Sequence, residues 1–76
     1  MTDPTYQIVI DVSDHMADGF IEDPCDWGTW NRYLIFRLVS EKPDRVRVIG
    51  PAATITQFLK EEGYGRAYND IVMVPE

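Results

Sequence analysis

The sequence predicts one α+β domain spanning residues 1–76, in which a small antiparallel sheet packs on one or two helices. Three observations carry this. Residues 5–12 and 32–40 alternate between two faces with a period of two, the mark of a strand. Residues 45–49 repeat that pattern just after a Pro-containing turn, which makes a hairpin. Ile55, Phe58 and Leu59 then fall at helical spacing.

In chain order, Tyr6, Ile8, Ile10 and Val12 form the core face of the first strand, with Gln7, Val9 and Asp11 opposite. Residues 14–22 are expected to be a short helix. Ser13 or Asp14 would cap it, and Met16, Ala17, Phe20 and Ile21 would face the core. Gly19 weakens that helix by about 1 kcal/mol relative to Ala. Residues 23–31 read as a loop, because Asp23 precedes Pro24 and both Gly28 and Asn31 favour turns. In the next strand Leu34, Phe36 and Leu38 point one way; Tyr33, Ile35, Arg37 and Val39 point the other. Glu41-Lys42-Pro43-Asp44 is the expected turn. Arg45 and Arg47 then point outward and Val46 and Val48 inward. Gly50-Pro51 opens a helix with Pro at its first position; the alternative is a start near Ile55 through Thr54 and Gln57. Gly63 is its natural C-terminal stop. A connector over 64–68 leads to a last strand over 70–74, ended by Pro75. This β-α-β-β-α-β order points to the ferredoxin-like sandwich, and right-handed crossovers would set the first and third strands side by side at its centre.

A chain of 76 residues buries only about 60% of its unfolded surface, so its stability margin is thin. Its hydrophobic fraction of 45% and its nine aromatic residues exclude a disordered acidic tail. No stretch approaches the roughly 18 apolar residues of a membrane span, and the N-terminus does not have the pattern of a secretory signal. A single cysteine, Cys25, suits a reducing cytoplasm.

Catalytic motifs are missing: there is no G-x-S-x-G, H-E-x-x-H, phosphate-binding loop or paired C-x-x-C. Cys25 and His15, as nucleophile and base, have no third residue to orient them. Asp14-His15-Met16-Ala17-Asp18-Gly19 imitates the start of a calcium loop, but Met16 and Cys25 stand where oxygen ligands are required. His15 with Cys25 fits no common zinc spacing. No cofactor is expected. Arg37, Arg45 and Arg47 share one hairpin face, yet the third strand has no aromatic residues to stack on bases. Direct nucleic-acid binding is therefore not expected.

Charge is the feature left to explain. The formal net charge is −6, and residues 1–30 hold seven acids (Asp3, Asp11, Asp14, Asp18, Glu22, Asp23 and Asp26) with no Lys or Arg. All seven basic residues lie beyond residue 30. Solvent-facing acids can simply keep a small domain soluble. The functional reading is that Asp14, Asp18, Glu22, Asp23 and Asp26 present a row of carboxylates that imitates nucleic-acid phosphates and draws in a basic groove. Trp27 and Trp30 join these as candidate partner-binding residues, because tryptophans often anchor interfaces. Trp27, flanked by Asp26 and Gly28, is expected to be the more exposed of the two.

In size, acidic balance, lone Cys25 and compact α/β pattern the chain resembles the small acidic proteins that bacteriophages use against host defence. Anti-CRISPR proteins directed at type I effector complexes are the nearest in kind. The resemblance implies a non-enzymatic inhibitor that binds a Cas subunit in the host cytoplasm and blocks recruitment of target DNA. Asp14, Asp18, Glu22, Asp23 and Asp26 would act as the DNA mimic. The seven basic residues depart from a uniformly acidic mimic. The alternative is a ferredoxin-like regulatory or oligomerisation module that binds a small ligand or another protein.

Overall fold

The computed structural model describes residues 4–39 and 42–74. Asp3, Glu41 and Pro75, each given a part above, lie outside them. Four strands form one antiparallel sheet: β1 (Tyr6–Asp11), β2 (Ile35–Val39), β3 (Lys42–Gly50) and β4 (Val72–Met73). Their spatial order is β2-β3-β1-β4, so the first and third strands are the central pair. Among the described residues two α-helices, α1 (Ser13–Ala17) and α2 (Ala52–Glu61), complete an α+β architecture.

The register explains the core. Ile8 lies opposite Val48 and Ile10 opposite Val46, while Phe36 flanks Val48 from the other side. All five are buried, together with Val12, Leu34 and the Ile55, Phe58 and Leu59 stripe of α2. Leu38 faces the same way but stays 51% exposed, because its place on edge strand β2 lies beyond the cover of the core. The expected turn at 41–44 needs correction: Lys42, Pro43 and Asp44 belong to β3, and the ladder shifts register between Leu38 and Val39.

Both helices end by one device. At α2, Gly63 takes φ +87° and the Tyr64 N–H donates to the Leu59 carbonyl at 2.6 Å. At α1, Gly19 takes φ +77° and the Phe20 N–H donates to the His15 carbonyl at 2.9 Å. Glycine reaches this left-handed conformation without strain, so each one stops its helix. Hence the expected helix over 14–22 is only the five residues Ser13–Ala17. Met16 and Phe20, expected to face the core, are 37% and 75% exposed. Neither Ser13 nor Asp14 caps α1; the Ser13 N–H donates instead to Asp11 Oδ1 at 2.9 Å. Pro51 precedes α2 as its cap residue, and its carbonyl accepts from the Ile55 N–H at 2.9 Å, so the alternative start near Ile55 is not taken.

On the far side of the sheet Arg37 and Arg47 lie directly opposite each other, both exposed. Neither has a carboxylate within ion-pair distance among the described residues. Like charges facing each other across a ladder are destabilising. Arg37→Glu is therefore expected to raise stability by about 0.5 kcal/mol. In a domain of this size that is a rise in Tm of about 2–4 °C. A lower Tm would contradict the register.

Candidate functional site

The segment between α1 and β2 holds most of the residues singled out above. Asp23 Oδ1 accepts from the Cys25 N–H at 2.9 Å, and Asp26 Oδ1 accepts from the Gly28 N–H at 3.2 Å. Asn31 closes the loop: its Nδ2 donates to the Cys25 carbonyl at 2.8 Å and its Oδ1 accepts from the Trp27 N–H at 2.6 Å. Gly28–Arg32 then winds as a 3-10 turn.

This clamp directs Trp27 inward, which corrects the expectation of exposure. Trp27 is 8% exposed. Its indole N–H donates to the Pro24 carbonyl at 2.9 Å, so the ring's one polar group is satisfied. The ring packs edge-on against Phe58 at 5.1 Å between centroids and stacks on Phe36 at 6.1 Å. Trp27 is thus a core residue. Trp30 is half-buried, edge-on to Phe58 at 5.5 Å, and its indole N–H donates to Glu62 Oε1 at 3.2 Å. Trp27, expected to be the more exposed of the two tryptophans, is the more buried.

The five candidate acids behave differently. Asp14, Asp18, Glu22, Asp23 and Asp26 are all exposed, and none forms an ion pair among the described residues. The hairpin arginines do not reach them. Arg45 lies 3.9 Å from Asp11, a different acid, while Arg37 and Arg47 occupy the opposite side of the sheet from Phe36, Val46 and Val48.

Two further acids join this side. Glu61 and Glu62, at the end of α2, line a cleft of about 510 Å³ with Asp26, His15, Phe20, Ile21, Trp27 and Gly28. His15 is half-buried, not a free surface imidazole: its Nδ1 is 2.7 Å from the Tyr64 hydroxyl, and the two rings stack at 5.0 Å. Burial pushes the Tyr64 hydroxyl well above its ordinary range, and the negative charges of Glu62, Asp11 and Asp14 push it further. The Cys25 thiol is also held up, by burial first and then by Asp23, which works against the thiolate that nucleophilic chemistry needs.

Among the described residues no group of three or more His, Cys, Asp or Glu side chains could hold a metal ion, and no helix is long and apolar enough to cross a membrane. Compared with known proteins, the chain matches no family model, no curated protein and no solved structure. The sequence reading missed Glu61 and Glu62, which stand 35 and more residues from Asp26 in the chain. Only the packing of α2 against the sheet and the inward turn of Trp27 bring them together.

Proposed function

We propose that the chain is a non-enzymatic binding protein of the anti-CRISPR kind, whose acidic side occupies a basic, nucleic-acid-binding surface of a partner. One observation carries this reading: Asp14, Asp18, Glu22, Asp23 and Asp26 stay exposed without ion pairs among the described residues, although the chain has seven basic residues to offer. Self-repulsion of that kind costs stability in a small domain, and a cationic partner would offset it on binding. The type I Cas effector subunit implied by the resemblance is the leading partner, and the site of action is then the host cytoplasm. The element order and the strand order β2-β3-β1-β4 support a ferredoxin-like sandwich as the scaffold.

The test is displacement of labelled target DNA from a type I Cas effector complex, followed by fluorescence anisotropy. Adding the chain is expected to release the DNA, and less so as salt rises. DNA that stays bound at saturating chain would overturn the reading. A second reading, a ferredoxin-like oligomerisation module, is favoured by exposed Val9, Ile35 and Val72 on the uncovered side of the sheet. It requires a stable dimer in sedimentation.

A further inference from the structure

We infer that the cleft between α1, the Trp27 loop and the end of α2 is a receptor for one organic cation, the guanidinium of an arginine side chain. The inference rests on the reading above, because the arginine would be the partner's. An exposed aromatic ring points to a cation independently of the acids. Among the described residues Phe20 is the most exposed of the large apolar side chains, at 75%, and it stands at this cleft. Its ring centroid lies 6.0 Å from that of His15, which in turn lies 5.7 Å from that of Trp27. The three rings are tilted to one another, by 57° and 61°, and Trp27 is buried, so Phe20 presents the open face at the cleft. A planar guanidinium is attracted to such a face and lies flat against it.

The charges complete the argument. Asp26, Glu61 and Glu62 line the same cleft, and no Lys or Arg does. Glu61 is the last residue of α2 and Glu62 follows it. A helix C-terminus carries partial negative charge and favours cations, so two adjacent glutamates there are placed against the dipole. A bound cation would relieve that repulsion. These carboxylates do not converge as a metal site among the described residues, and the cleft's volume of about 510 Å³ admits a whole arginine side chain. Arginine suits the Phe20 ring and the acidic rim together, since its fork of donors can meet a carboxylate while its face covers the ring.

The experiment uses the intact chain and a small probe, N-acetyl-arginine amide, with N-acetyl-citrulline amide as its uncharged control. Binding is read from NMR shifts of the Trp27 and His15 rings. The arginine probe is expected to bind with a Kd on the order of 1 mM and citrulline not to bind measurably. Asp26→Asn with Glu61→Gln, and separately Phe20→Ala, are each expected to weaken binding about tenfold with the dispersion of the native spectrum intact. Equal shifts from citrulline, or arginine shifts confined to residues outside the cleft, would overturn the inference. So would the absence of any shift. Since no partner is present, such a failure leaves the DNA-displacement result to stand or fall separately.

Discussion

Trp27→Ala is expected to cost about 3–5 kcal/mol of folding stability, the range for emptying a large aromatic site in a core. A chain of 76 residues has on the order of 4–11 kcal/mol in total, so this single change removes much or all of it. The cause is local and specific. The indole packs against both Phe36 and Phe58, which also touch each other, and its N–H donates to the Pro24 carbonyl. Its removal leaves a cavity beside Phe58, whose own exposure is 0%, and frees the loop that carries Asp23 and Asp26. Urea unfolding followed by Trp30 fluorescence reads the effect. With a slope of about 1 kcal/mol per M, the midpoint should fall by about 3 M or the protein should be unfolded without urea. Trp30→Ala makes a useful contrast, because Trp30 is half-buried and its N–H reaches Glu62 near solvent. Its cost should be about 1–2 kcal/mol. Equal effects of the two substitutions would contradict the burial assigned to Trp27.

That contrast also shows what the sequence could and could not disclose. The first three strands were legible because their period of two is local: Ile8, Ile10, Phe36, Val46 and Val48 read as core and are core. The last, expected over 70–74, is only Val72–Met73, because Gly65–Asp70 winds as a 3-10 turn. The α2 stripe was legible because its spacing is local too, as was its stop at Gly63. Gly19 carried the same message at α1, but it stood within a run whose apolar residues kept helical spacing through Ile21. The spacing suggested continuation, and the left-handed glycine ended the helix. For Trp27 the neighbours misled. Asp26 and Gly28 are exposed, as their polarity and turn character suggest, yet one residue between them turns inward because Asn31 holds its backbone and Pro24 its indole. No local pattern encodes that clamp. The cleft was illegible for another reason: Glu61 and Glu62 read as the polar end of a helix, and only the tertiary packing brings them to His15, Phe20 and Asp26. Exposure of the five acids, by contrast, followed from their type alone.

Those acids carry the proposed binding, and one set of substitutions removes their charge. Asp14, Asp18 and Glu22 are reversed to Lys. Asp23 and Asp26 are changed to Asn, which keeps the oxygens that accept from the Cys25 and Gly28 N–H groups. Three reversals add six charges and two neutralisations add two, so the formal charge moves from −6 to +2. None of the five has an ion-pair partner to lose among the described residues, so the native NMR spectrum and Tm should be retained or improved. The deciding measurement is the calorimetric affinity of this variant for a type I Cas effector complex, beside that of the unaltered chain. The expected result is a loss of about 100-fold or more, equivalent to about 2.7 kcal/mol. A folded variant that binds as tightly as the original would show that the carboxylates are solvated bystanders and would overturn the electrostatic reading.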